Sequence, residues 1–465
     1  MVFASLEFLT LFLPLFFALY LVTPQRFRNH TLLVGSWLFY AWWTPKFLVL
    51  IIALTILAWA AAILIDKTSN ERSKTRIMVA AIVLNLASLV WYKYTNMLVY
   101  SLNTILTGRD MPTIPWENLM LPIGLSFTVL HAISYIVDVR RKTVPAQYSI
   151  ISFSAYMAMF PHLIAGPIVR YKVIDTELRE RVFSIDKFAA GVRRFMVGFS
   201  MKVLIADTLS PIVTLAFGLH NPTLIDAWTG CAAYTLQLYF DFAGYSAMAI
   251  GLGLMLGFDF QENFNNPYLS VSIQDFWRRW HMTLSSWLRD YLYISLGGNR
   301  HGAGRTYVNL MLTMAIGGLW HGGENWNYLI WGIIHGSALC CDRMFTQRGL
   351  SMPNYLSRTL TLLIVMLAWT VFRSDSFATA MDLWAGQFGL HGVAMGDAIA
   401  LALRPSIVLT FVLGLICVVY PATAIGKRGG LGFVGWSMTW PVLTFAYAVI
   451  VLAGQKAIPF LYFQF

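Results

Sequence analysis

The chain is 465 residues long, 58% apolar and only 12% charged, with a formal net charge of +11 and a mean hydropathy of +0.63. So few charges cannot clothe an ordinary soluble surface, which excludes a soluble or secreted globular protein. At this apolarity an excess of 33 Lys and Arg over 22 Asp and Glu fits cytoplasmic anchoring loops better than a nucleic-acid footprint, so no nucleic-acid partner is expected.

The first residues, with Glu7 and no basic cluster, lack the positive region and small-residue cleavage site of a signal peptide, so the first apolar run is expected to stay as a membrane helix. Runs long enough to cross a bilayer, about 20 apolar residues each, occur at 5–23, 31–66, 77–105, 119–138, 225–257, 306–345, 356–373, 402–422 and 436–455. The runs at 31–66 and 306–345 are long enough for two crossings. Thr44-Pro45-Lys46 can turn the first, and His321-Gly-Gly-Glu324-Asn325 can turn the second. The expected fold is an all-α integral membrane protein with about ten to twelve transmembrane helices. With no repeat and no linker, residues 1–465 read as a single polytopic membrane-embedded domain.

Orientation follows from Lys and Arg in alternate short loops. One side carries nine: Arg26, Arg28, Lys67, Arg72, Lys74, Arg76, Arg140, Arg141 and Lys142; the other carries two, Lys46 and Arg109. The N-terminus is therefore expected outside the cytoplasm and the Lys67 to Arg76 loop inside it.

Two stretches between the spans suit other roles. Residues 153–171 combine apolar side chains with Pro161, Gly166 and Pro167, a composition for a re-entrant segment whose irregular backbone is buried in protein. Residues 273–293 put Phe276, Trp280, Leu284, Trp287 and Tyr291 on one helical face, with Arg279, Ser286 and Asp290 largely opposite. That pattern predicts an amphipathic helix at the interface or packed into the bundle.

The four cysteines, Cys231, Cys340, Cys341 and Cys417, lie in apolar sequence and form neither a disulfide framework nor a metal knuckle. No two histidines have metal-ligand spacing, so no metal is expected. The motifs of serine hydrolases, P-loop ATPases, nicotinamide enzymes and zincins are missing. What remains is ionisable groups in apolar sequence, where they are costly and mark function. His321 leads, flanked by Gly317, Gly318, Gly322 and Gly323, which permit a helix break and close approach of a ligand. A neutral imidazole can take a proton from a hydroxyl nucleophile and return one to a leaving group. His281 follows Arg278-Arg279 and can orient a substrate group or serve as the polar tip of an aromatic belt. His335 reads as structural. Asp241, in Tyr239-Phe-Asp241-Phe-Ala-Gly244, belongs either to a structural ion pair or to a cavity wall. Arg278, Arg279, Arg289, Arg300 and Arg305 can anchor to the cytoplasmic face or attract an anionic donor.

Several strings together carry a family resemblance: Leu121-Pro-Ile-Gly-Leu-Ser126, Phe160-Pro-His-Leu-Ile-Ala-Gly-Pro167, Tyr239-Phe-Asp-Phe-Ala-Gly-Tyr-Ser246, Asn263-Phe-Asn-Asn-Pro-Tyr268, Phe276-Trp-Arg-Arg-Trp-His281, Trp287-Leu-Arg-Asp-Tyr-Leu-Tyr293 and Gly318-Leu-Trp-His321. The chain resembles the membrane-bound O-acyltransferase (MBOAT) family, in its bacterial branch of exopolysaccharide O-acetylation proteins such as that for alginate. The motif-rich core is about 119–340. The resemblance implies a helical body with a central funnel or tunnel and His321 and His281 as catalytic residues; beside it, charge makes Arg278, Arg279 and Arg289 donor-binding candidates, and Tyr239 and Asp241 are tunnel-lining candidates. Ala243 and Ser295 depart from the family's frequent Ser and Pro. No bound cofactor is implied. Acetyl-CoA is the implied cytoplasmic donor, and the acetyl group would pass across the inner (plasma) membrane to an exopolysaccharide such as alginate or cellulose, through a periplasmic acetyltransferase partner. Two alternatives stand beside this: D-alanyl transfer to teichoic acid from a carrier-protein thioester, and a channel or transporter, although the latter should show internal repeats.

The nine-to-two loop count makes a direct prediction. An impermeant thiol reagent added to intact cells should fail to label Ser69→Cys; ready labelling from outside would reverse the orientation.

Overall fold

The computed structural model describes residues 2–420, 431–454 and 458–461. Among the described residues there is helix, turn and irregular chain but no strand, so an all-α architecture is what the apolar runs build. The long run at 31–66 becomes two helices, Arg28–Ala41 and Pro45–Lys67, and the run at 306–345 becomes Gly302–His321 and Asn327–Gln347. Pro45 occupies the first turn of its helix, where its missing N–H costs nothing. Asn70 caps the next helix, Glu71–Thr107, by accepting the Arg72 and Ser73 amides at its Oδ1.

Five helices among the described residues are long and apolar enough to cross a membrane: Pro45–Lys67, Glu71–Thr107, the continuous stretch Ile185–Phe217, Leu224–Leu256 and Asn354–Arg373. Phe8–Val22, Pro405–Val419 and Thr439–Ala453 are shorter apolar helices. The protein is thus a multi-pass membrane protein. The stretch Ile185–Phe217 was absent from the expected spans, because Arg193, Arg194, Lys202 and Asp207 interrupt its apolarity. Glu71–Thr107 has 37 residues, about 55 Å at 1.5 Å per residue, longer than the hydrocarbon core.

The chain forms two compact units. The first comprises residues 1–192 and 249–261. The Glu71 carboxylate pairs with Arg140 at 2.9 Å, and the Tyr148 hydroxyl donates to Asp66 at 2.7 Å, so the two basic loops expected on one side do meet. Residues 153–171 are buried throughout. They form the helix Ile150–Ala158, the short turn Phe160–Leu163 and irregular chain to Arg170. The Tyr156 hydroxyl donates to the Val169 carbonyl at 3.0 Å, and the Ser36 hydroxyl accepts the Phe160 amide at 3.1 Å. Such bonds are what an irregular segment at membrane depth needs.

The second unit comprises residues 193–248 and 262–465. Here 273–293 departs from the expected continuous amphipathic helix. It is two helical runs, Ile273–Arg279 and then Met282–Trp287 continuing directly into Leu288–Tyr293, broken at Trp280 and His281. Phe276, Trp280, Leu284, Trp287 and Tyr291 are all buried as the pattern predicts. The break arises because chain 263–265 runs alongside and takes the freed groups: the Met282 amide donates to the Asn263 carbonyl and the Asn265 amide to the Arg279 carbonyl, each at 2.9 Å. His281 consequently adopts a left-handed backbone, φ 42° and ψ 52°.

The helix pair Gly302–His321 and Asn327–Gln347 meets through glycine. A Cβ on Gly318 would stand 2.3 Å from the Tyr328 carbonyl, and one on Gly332 would stand 2.4 Å from the Met314 carbonyl. Backbones approach this closely only where side chains are absent. Gly332→Ala should therefore force the helices apart and cost about 1–3 kcal/mol, read as a lower unfolding midpoint in detergent, whereas Gly304→Ala, with nothing within 4 Å, should be neutral or mildly stabilising.

Candidate functional site

The helix Gly302–His321 ends at His321, and Gly322 continues in extended backbone, φ −130° and ψ 152°. A Cβ on Gly322 would fall 1.8 Å from the Tyr328 ring, so this glycine lets the next helix fold its aromatic side chain over the turn. His321 ends up buried, 5% exposed, inside three aromatic rings: Trp320 at 5.0 Å, Trp331 at 5.3 Å and perpendicular, and Phe372 at 5.7 Å. Three aromatic rings thus wall the imidazole at the helix end.

The break at Trp280 carries His281, fully buried, to a ring separation of 6.3 Å from His321. Phe242, on Leu224–Leu256, stands edge-on to His281 at 4.7 Å. The two histidines singled out from sequence, 40 residues apart in the chain, are thus neighbours, and two imidazoles this close can pass a proton through one bridging group.

The remaining candidates divide. Arg278 is exposed. Arg279 is half-buried and donates to Asp275 at 2.8 Å, and Arg289 is bound to Asp290 at 2.7 Å. Tyr239 lines a largely apolar cavity of about 260 Å³ whose wall also includes Ser246, Asn263, Trp440 and the ion-paired Arg194 and Glu262. Asp241 sits apart from that cavity's lining. Its Oδ1 pairs with the Lys202 ammonium at 2.9 Å, and its Oδ2 accepts the Leu461 amide at 2.9 Å. Lys202 also pairs with Asp207, so Asp241 belongs to a buried cluster of one ammonium and two carboxylates. His335 is fully buried among Phe276, Trp277, Trp331 and Trp369. Among the described residues no cluster of three His, Cys, Asp or Glu side chains has the arrangement of a metal site.

Two site residues went unassigned in the sequence. Lys202 is a lone ammonium in apolar chain and obeys the same rule that selected Asp241. Asn263 lies in a motif string but has no titratable group to mark it.

The pattern of the membrane-bound O-acyltransferase family matches residues 117–374, which contain both histidines. A probable alginate O-acetylase from Azotobacter vinelandii is 42% identical, with all of each chain covered. The peptidoglycan O-acetyltransferase of Helicobacter pylori is 32% identical over 83% of this chain and 80% of its own. The teichoic acid D-alanyltransferase of Bacillus subtilis is 28% identical over 52% of this chain and 63% of its own.

The buried charge cluster yields a stability prediction. Lys202→Met leaves Asp207 and Asp241 facing each other without a cation and should cost about 3–5 kcal/mol. Thermal unfolding in detergent should show the loss, and the triple variant Lys202→Met, Asp207→Asn, Asp241→Asn should recover most of it.

Proposed function

Because the chain belongs to the membrane-bound O-acyltransferase family, and is an O-acyltransferase, we propose that it moves an acetyl group from a cytoplasmic donor across the inner membrane for O-acetylation of an exopolysaccharide such as alginate. The single observation that carries the chemistry is the approach of His281 and His321 to 6.3 Å in a buried, aromatic-walled site. The choice of acetyl over D-alanyl transfer rests on the full-length match to an alginate O-acetylase, against a match over 52% of the chain for the D-alanyltransferase.

Acetyl-CoA is the donor in this reading. Its phosphates stay in the cytoplasm, where the exposed Arg278 attracts them, because so charged a group is excluded from hydrocarbon. We assign the acyl-bearing end to the cavity bounded by Tyr239, Ser246 and Asn263. The acceptor is a hydroxyl, on the polymer or on a periplasmic acetyltransferase that completes the transfer. His321 takes the hydroxyl proton as oxygen attacks the thioester carbon. The C–O bond forms, the C–S bond breaks, and the proton ends on the departing thiolate. Trp320, Trp331 and Phe372 wall the imidazole while it carries the proton. Moving only a two-carbon unit spares the carrier from crossing. An N-terminus on the periplasmic side and one membrane body over 1–465 complete the proposal.

His321→Gln keeps hydrogen bonding but cannot titrate. It should reduce acetyl transfer about 10²–10⁴-fold, nearly as far as His321→Ala, with thermal unfolding in detergent close to the parent. Near-normal turnover by the Gln variant would remove His321 from the chemistry.

A further inference from the structure

Asn263 is fully buried and sits at the crossing of four hydrogen bonds. Its Oδ1 accepts from the Thr283 hydroxyl at 2.8 Å and from the Thr283 amide at 3.3 Å. Its Nδ2 donates to the Ser246 hydroxyl at 3.1 Å, and the same Oδ1 lies 3.1 Å from His281 Nδ1. Side-chain amides are ambiguous about which terminal atom is oxygen, but a backbone N–H is only a donor. The Thr283 amide therefore fixes the atom facing it as Oδ1, since the flipped amide would set N–H against N–H. An acceptor oxygen opposite Nδ1 requires that Nδ1 carry hydrogen, because two lone pairs would otherwise repel. In a neutral imidazole that is the ring's one proton, and Nε2 keeps the lone pair.

We infer that Asn263 is a positioning residue that locks His281 in the Nδ1–H tautomer, so that Nε2 carries the lone pair and His281 serves as a second proton acceptor beside His321. The inference rests on the reading that the two histidines share one acyl-transfer site. It assigns them a division of labour: His321 takes the acceptor hydroxyl's proton and passes it to the departing thiolate, and His281 Nε2 accepts the hydrogen of the thiol so formed. The lock is secured from both sides. Ser246, on Leu224–Leu256, holds the amide's far end, and the Met282 amide bonded to the Asn263 carbonyl at 2.9 Å keeps the two backbones in register. An orienting partner of this kind fixes which nitrogen of a catalytic imidazole is basic.

The titratable and charged groups around His281 are few. His321 faces it from the end of Gly302–His321. On Leu224–Leu256, Asp241 is committed to Lys202 and Tyr239 packs against Trp280. On the neighbouring chain Glu262 is committed to Arg194, and on its own segment Arg279 is committed to Asp275. A carboxylate introduced at position 263 would stand directly against Nδ1, where Asn263 Oδ1 lies at 3.1 Å.

Two measurements on the full chain test this. In the first, Asn263→Asp keeps the acceptor but adds charge, which favours the imidazolium. The acid limb of the activity–pH profile should move upward by about one unit or more, with activity regained at high pH. A profile unchanged in position, in a variant that unfolds like the parent, would overturn the inference. In the second, which needs no variant at Asn263, nitrogen NMR of histidine-labelled protein in bilayers is read at the signals that vanish in His281→Gln. A protonated Nδ1 with a lone pair at Nε2 is the expected pattern, and the opposite tautomer overturns the inference whatever the fate of Asn263→Asp. His321→Gln separates the two levels. If it retains turnover, the shared-site reading fails, while the tautomer of His281 is still read directly.

Discussion

Two backbone hydrogen bonds, from Met282 to the Asn263 carbonyl and from Asn265 to the Arg279 carbonyl, are the constraint on which the site depends. A helix interrupted inside a membrane protein exposes amides and carbonyls that hydrocarbon cannot satisfy. At Trp280 and His281 the neighbouring irregular chain satisfies them, and the interruption becomes affordable. Once it exists, His281 leaves the interface face that a continuous helix would have given it and points among Phe242, Trp320 and His321. The same pairing sets the Asn263 side chain against the ring it hydrogen-bonds.

A second solution to the same problem operates at Lys202. One ammonium is shared by two carboxylates from separate segments of chain, and the second oxygen of Asp241 holds a backbone amide near residue 461. The Phe460 ring next to that amide stacks on Tyr245 at 4.5 Å and lies 5.8 Å from Phe242, which in turn abuts His281. The charge cluster and the histidine pair are thus joined through packed aromatic rings.

Much of this was readable from sequence, and the failures have a physical pattern. Glycines and prolines located the turns at Thr44–Lys46 and after His321, because backbone restrictions are local. The buried fate of 153–171 followed from its mixture of apolar residues and helix breakers. The stretch Ile185–Phe217 was hidden because hydropathy counts Lys202 and Asp207 as if each faced hydrocarbon alone, when they pair within the stretch and Asp241 joins them from another helix. The continuous helix over 273–293 was a fair reading of periodicity: the buried face is right, but the break depends on a partner strand of chain some fifteen residues earlier. Asn263 was invisible as a site residue for the same reason. Nothing in an asparagine's neighbours along the chain reveals that an imidazole will stand against it.

The left-handed backbone of His281 can be read as frustration in the folding landscape. At φ 42° a side chain brings its Cβ against the next carbonyl, a conflict of about 1–2 kcal/mol that glycine would not feel. Local preference and global structure disagree at this residue, and natural chains concentrate such disagreements where chemistry selects the side chain over the backbone it sits on. A search for stabilising substitutions guided by backbone geometry alone would choose glycine here and would discard the imidazole with the strain.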